Sequence, residues 1–481
     1  MPTRTTETTQ TTQTSPHLTT VATPRTDCPT RLRPSPGPQA TPISTQPAGM
    51  TASATAPTPP LARRGTGALL EAGPFDVVVD RRGTACLKWD FAEDRGRPGS
   101  ALPLWVADMD HATAPCVTSA LTWRVRHGVF GYTEPDDAYH AALTSWFSRR
   151  YGWRIDPAWN TVTLGVVLVL AVAVRALTSP GETVIIEEPV YYPFREVVED
   201  NDRTVVSVPL VRDAAGTYRR DLAALESTIE ATGARLLLLC NPHNPVGRVW
   251  TRAELEALAE VTLRHGVTVV ADEIHADLTV HGHRTTPFAS LGTEVAAATV
   301  TATSASKAFN IAGLQVANIL IASPVLRSSF RRALAATGYS QPNALGLTAT
   351  RAAYEGGQAW LEELLTHLEA NQDHVAARLA RLDGVDLVPA EGTYLLWLDF
   401  AGLLARTGLG TDELDTFLLE EAGLWLDDGR LFGPCGAGLA RLNIACPRAL
   451  LDHALDRLEA AVCARLSRAA LPERDQVALG A

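Results

Sequence analysis

The sequence predicts an α/β protein built on a large domain with a mainly parallel central sheet, beside a smaller α+β domain. Three observations lead there. From about residue 75 to 465, short β-rich runs alternate with helix-length segments, the pattern of strands joined by crossover helices. After about residue 350 that rhythm turns to longer helices with short strands between them. A chain of 481 residues, 46% of them hydrophobic, also exceeds what one core holds, because single cores stop growing near ~250 to 300 residues.

Taken in order, residues 1–65 come first. They are rich in Thr, Pro, Ser and Ala, with Glu7 and Asp27 the only acids. Such a stretch lacks the apolar content to offset chain ordering and reads as a disordered tail. Its Arg, Ser and Thr content also resembles a transit peptide without a clear amphipathic helix, and a mis-assigned start codon explains it equally well. Strands are expected over Thr183–Glu187, Thr204–Val208, Arg235–Cys240, Val267–Asp272, Ala298–Ala302 and Ala317–Ile321. Between them, Val166–Leu177, Asp221–Thr232 and Arg252–His265 read as helices, the last opened by a capping box of Thr251 and Glu254. The later helices are Trp360–Leu382, Asp412–Ala422 and Arg448–Leu466, with short strands at Thr393–Asp399 and Ala440–Ile444. The expected division is a large domain over 111–345, a small domain from 66–110 with 346–468, and a C-terminal tail over 469–481.

Composition narrows the function. The net charge is −11, with no Lys/Arg-rich stripe, so the attraction that drives binding to nucleic-acid phosphates is missing. The longest apolar run, Val166 to Val174, closes at Arg175 and is about half the ~20 residues a membrane span needs. Seven scattered cysteines without a CxxC pair fit neither a disulfide framework nor a zinc site, and a reducing, cytoplasmic setting is the expectation.

The unusual residues fall at strand ends. In an open parallel sheet ligands bind beyond the carboxyl ends of the strands, where loops and helix N-termini converge. Asp272 closes VTVVAD, and a buried carboxylate there needs a partner such as a cationic ring nitrogen, or else serves as an ordinary helix cap. Lys307, in TATSASKAFN, directly follows the next β-rich run. A buried amine near positive charge loses its proton and becomes a nucleophile, although SxSK alone is equally a solvated surface lysine. Ser304 and Ser306 can hydrogen-bond a phosphate beside it. Gly165, Val166 and Val167 open a helix whose free N–H groups suit an anion. Asn244, in NPHNPVGR, can donate to a phenolate-like oxygen, or the loop is a plain Asn-Pro turn. Tyr191 can stack on a planar ring and Tyr132 can reach a phosphate; each alone is more often filler. Arg441, on a short apolar strand, needs a fixed partner: a substrate carboxylate or a structural ion pair.

The segments FDVVVDRRGTACLKWD, LPLWVADMD, GVFGYTEPDDAYHAAL, EEPVYYPF, CNPHNPVGR, DEIHADL, SASKAFNIAGLQ and ARLNIACPR occur in this order between about Phe75 and Leu466, roughly four fifths of the chain. Together they resemble the fold-type I pyridoxal-phosphate enzymes of the class I/II aminotransferase superfamily, and most closely the bacterial cystathionine β-lyase branch. The resemblance implies the PLP-dependent transferase fold and pyridoxal 5′-phosphate as cofactor. Lys307 would be the Schiff-base lysine and general acid/base, with Asp272 against the pyridine nitrogen, Tyr191 on the ring, Asn244 at its O3′ and His275 where transaminases often carry tyrosine. Val166, Val167, Ser304 and Ser306 would hold the phosphate, helped by Tyr132 from a second subunit of a homodimer. Arg441 and Ala107 would bind the amino-acid substrate. His111 replaces the usual phenylalanine of the WVADMDF pattern, Leu164 and Leu168 replace smaller or proline residues, and Gln315 stands where many aminotransferases have arginine; these changes bear on side-chain specificity.

The implied reaction is an α,β-elimination of cystathionine or another cysteine S-conjugate, giving a thiol, pyruvate and ammonia, with the Lys307 amine taking the Cα proton. An aminotransferase of the same superfamily is the first rival. A cofactor-binding regulatory domain is the second, although residues 1–65 lack the helical periodicity of a DNA-binding module.

Overall fold

The computed structural model describes residues 73–470, so the tail expected over 1–65 and the start of the 66–110 segment lie outside the described residues. A seven-stranded sheet runs in the order Asn160–Thr163, Ala317–Leu320, Thr299–Thr303, Thr268–Asp272, Leu236–Cys240, Thr183–Ile186 and Thr204–Ser207. The pairings from Thr299–Thr303 to Thr204–Ser207 are parallel, while Ala317–Leu320 pairs antiparallel with both of its neighbours. The fold is thus α/β on a mainly parallel sheet, as the sequence predicts.

Parallel strands are covered on both faces, which is why they read as unbroken apolar runs. In LLLLC, Leu236, Leu238 and Cys240 pack with the apolar helix Val166–Leu177, while Leu237 and Leu239 pack with Leu255 and Leu258 of the helix Arg252–Arg264. That second helix begins with the expected capping box: Thr251 accepts from the Glu254 N–H, and the Glu254 carboxylate accepts from the Thr251 N–H.

A second, antiparallel sheet joins Asp386–Leu387, Leu395–Asp399, Leu439–Asn443 and Asp427–Asp428. Leu102–Pro103 pairs in parallel with Leu424–Trp425, fastening the early segment to the late one. Elements not named from the sequence include the strand Asn160–Thr163 and the helices Pro115–His127 and Asp137–Tyr151. Their apolar residues are few and interrupted, so tertiary packing rather than periodicity selects them. The final helix runs Arg448–Ala469, one residue into the segment expected as a tail; residues 471–481 lie outside the described residues.

Candidate active site

Five chain segments converge at the carboxyl edge of the large sheet. Asp272 ends its strand in register with Cys240, and the loop after Cys240 carries Asn244. Thr303 ends the neighbouring strand, and Ser306 and Lys307 follow it. Val166 and Val167 begin their helix at Gly165, where an added Cβ would stand 3.1 Å from the Gln315 Oε1 atom. These groups, with Tyr191, His275 and Ala107, line one cavity of about 390 Å³. That is within the ~300 to 1,000 Å³ usual for small-molecule sites.

Both reactive groups in the cavity are held off their ordinary ionisation. Burial pushes the Asp272 carboxyl up to about 7, opposed by the Ile274 N–H that it accepts and by the distant charge of Lys307. Among the described residues no cation contacts it directly. Burial, reinforced by the positive charge of Arg441, pulls the Lys307 amine down to about 8. Its Nζ donates 2.6 Å to the carbonyl of Ala107, which also accepts 2.9 Å from the Tyr394 hydroxyl. Buried His275 is kept neutral by desolvation and by the charges of Lys307 and Arg441, and its Nδ1 has no partner. The Tyr191 hydroxyl is held protonated by burial and by Tyr192.

Asn244 has its orientation fixed from behind. Its Oδ1 accepts from Arg441 at 2.9 Å, which leaves the amide N–H₂ as the group free to donate. Three residues expected at the site do not line the cavity. Ser304 turns its hydroxyl to Ser306 Oγ and to the Val316 carbonyl, and accepts the Ser306 N–H, so it positions Ser306. Arg441 lies behind Asn244, ion-paired to Asp427. Tyr132 is 95% exposed and belongs to a separate hollow with Phe130 and Asn343.

Other residues of the site had no sequence signal. Asn310, in the left-handed region at φ 52°, accepts from the Met109 N–H and donates to the carbonyls of Met109 and His111. Asn443 donates to the carbonyls of Val106 and Asp108. Together they pin the segment that presents Ala107. A nearly irregular stretch is further secured by a buried charge network, in which Lys88 pairs with Asp110 at 2.6 Å and Arg81 with Asp108 and Asp110. The WVADMD motif hints at this, since acids in an apolar run demand partners.

The donor set fits a flat, elongated ligand. Free N–H groups of Val166 and Val167 and the Ser306 hydroxyl suit an anionic end. The Asp272 carboxylate, which has no cationic partner among the described residues, suits a basic ring nitrogen, and the depressed Lys307 amine suits a carbonyl. The aminotransferase class I and II family model matches residues 102–458. The chain belongs to that family. A relative within it is the cystathionine beta-lyase PatB of Bacillus subtilis (strain 168), 42% identical over 81% of this chain and 99% of its own length. Protein MalY of Escherichia coli (strain K12) is 37% identical over 79% of this chain and 96% of its own length. Among solved structures, cystalysin from Treponema denticola, containing a pyridoxal 5′-phosphate cofactor, matches with a TM-score of 0.77 and 32% identity over 81% of this chain and 98% of that chain.

Proposed function

We propose that this chain is a pyridoxal-phosphate-dependent carbon–sulfur β-lyase, acting on cystathionine or a related cysteine S-conjugate. The observation behind it is the occurrence of a buried carboxylate without a cationic partner among the described residues, Asp272, and a depressed amine, Lys307, in one cavity of a class I and II family member. The lyase assignment within that family rests on the 42% identity to a cystathionine beta-lyase over nearly its whole length.

Bound pyridoxal phosphate supplies an electron sink for the pair left on the substrate Cα. The chain's residues do the rest. Asp272, ionised by a cationic ring nitrogen, keeps that nitrogen protonated. Lys307 would hold the cofactor at its carbonyl carbon, and its amine, once free, would take the substrate's Cα proton. The Cβ–S bond breaks, the sulfur leaves as thiolate and gains a proton, and water releases pyruvate and ammonia. Asn244 donates to the ring oxygen, Tyr191 covers the ring, and His275 offers a neutral N–H. Ser306 and the N–H groups of Val166 and Val167 receive the phosphate, with Ser304 behind Ser306. Arg441 takes the substrate carboxylate, and the Ala107 carbonyl parks the Lys307 amine.

Tyr132 serves a partner's cavity in a homodimer. What supports this is its exposure together with Trp123, Val129 and Phe130, an apolar surface that costs free energy in water. The two sheets are the cores of a large domain over 111–345 and a small one formed from 66–110 with 346–468. The enzyme is cytoplasmic.

A product assay tests the function. Incubation with cystathionine releases pyruvate without an added keto acid; strict dependence on a keto-acid acceptor would make the chain an aminotransferase instead.

A further inference from the structure

The geometry points to Asp427 as a built-in carboxylate that occupies Arg441 and must be displaced when a substrate carboxylate binds; we infer that it sets how tightly the site holds amino acids. This inference rests on the reading of Arg441 as the carboxylate-binding residue.

Counting hydrogens decides the matter. A guanidinium has five N–H donors in a fixed fork. Nη1 donates to Asn244 Oδ1 at 2.9 Å, and Nη2 donates both to the Trp105 carbonyl at 3.0 Å and to the Asp427 carboxylate. Nε is buried with no partner. Only two edges of a guanidinium offer parallel donors to a carboxylate, Nη1 with Nη2 and Nε with Nη2, because Cδ blocks the third. Both edges need Nη2, and both Nη2 hydrogens are engaged. A two-bond contact with any incoming carboxylate therefore requires the Trp105 carbonyl or Asp427 to let go.

The carbonyl is the harder one to move. Leu104 donates its N–H to the Trp425 carbonyl, and its own carbonyl accepts the Asn443 N–H. On the other side Val106 and Asp108 give their carbonyls to Asn443 Nδ2. Trp105 is clamped on both flanks. Asp427 engages the guanidinium with its side chain, so a rotation of that side chain frees Nη2; the incoming carboxylate then adds a negative charge beside Asp427, a repulsion that Asp427→Asn would remove. Asp427 lies across from Arg441 in the antiparallel ladder, 5% exposed, and among the described residues Arg441 is the sole hydrogen-bond donor to its carboxylate. Phe432 covers one guanidinium face, its ring centroid 4.8 Å from Cζ, so water gives little help to either charge.

The test uses the holoenzyme and the isosteric Asp427→Asn variant, with L-alanine, which has no leaving group, and L-alaninamide, which has no carboxylate. Affinities are read from the change in visible absorption of the bound cofactor. Asp427→Asn is expected to bind L-alanine roughly tenfold more tightly, the size of one charge-assisted hydrogen bond, with L-alaninamide unaffected. KM for cystathionine should fall by a similar factor while kcat changes less. The variant's Tm should be lower without ligand and rise further with L-alanine than that of the wild type. Unchanged or weaker L-alanine binding overturns the inference. Arg441→Ala is measured in parallel: if it binds L-alanine as tightly as the wild type, the carboxylate reading of Arg441 fails; if it binds weakly and Asp427→Asn binds no better than wild type, the role of Asp427 alone fails. Asp427→Ser is the second variant. Failure of both to fold even with L-alanine present would make Asp427 a fixed structural partner and overturn the proposal.

Discussion

At the scale of single residues, Asp272 and Lys307 owe their properties to burial without a matched counter-charge. One pKa unit corresponds to about 1.4 kcal/mol of preference between protonation states, so both groups are poised for ligands that restore the balance. Replacing Lys307 by Ala should remove both the visible band of the bound cofactor and the general base; loss of base catalysis alone costs ~10²- to 10⁴-fold in kcat. Pyruvate release and an absorption spectrum check it. In the cofactor-free protein the amine is depressed to about 8, so the rate of cofactor capture should rise as pH climbs through about 8 and level off above it. Mixing apoprotein with pyridoxal phosphate across that range reads this directly; a pH-independent rate would contradict the depressed amine. Both residues were legible in sequence because Asp272 ends a buried β-rich run and Lys307 shortly follows another. Asp427 was not, since LDDGR reads as an ordinary exposed turn.

Elements explain how the site is kept in place. Six strands and the helix Val166–Leu177 were visible as apolar runs, because a parallel sheet buries both faces. The segment 104–111 was visible only as a motif. It has almost no regular structure, and its position depends on side chains remote in sequence, Asn310 and Asn443. Asn310→Ala would strand the Met109 N–H and the carbonyls of Met109 and His111. A buried polar group left unpaired costs about 1 to 3 kcal/mol, so Tm should fall and the variant should lose cofactor more readily on dialysis. Thermal melts with and without pyridoxal phosphate measure both effects. Equal melting and equal retention would mean that Asn443 and the Lys88–Asp110 pair suffice.

For the whole molecule, acid is the expected weakness. Burial holds His111 and His243 down to about 3, with His367 adding to the effect at His111, and His275 also lies well below its ordinary value. An unfolded histidine takes its proton near ~6.5. At these histidines the unfolded state therefore binds more protons between about 6.5 and about 3, while Asp272, pushed up to about 7, and Glu273, pushed up to about 8, oppose the loss until the unfolded carboxylates also protonate at ~4, so stability should decline most steeply between about 4 and about 3. Denaturant midpoints from neutral pH downward would show it; a flat profile would count against the buried neutral rings. Association is the second property at this scale. Sedimentation should give a dimer, and Tyr132→Ala should leave the dimer intact while weakening cofactor retention in both cavities. A monomer with full activity would remove Tyr132 from the site.

Sequence by itself determined most of the sheet, its carboxyl edge, and two groups that line one cavity there, since local apolar pattern and strand-end position are properties of neighbouring residues. Tertiary structure alone decided that Ser304 supports Ser306 from behind, that Arg441 is already paired, and that Ala107 receives the Lys307 amine. Those facts depend on hydrogen-bond partners up to 336 residues apart, as between Arg441 and Trp105, and no local pattern encodes which distant acceptor a donor will meet.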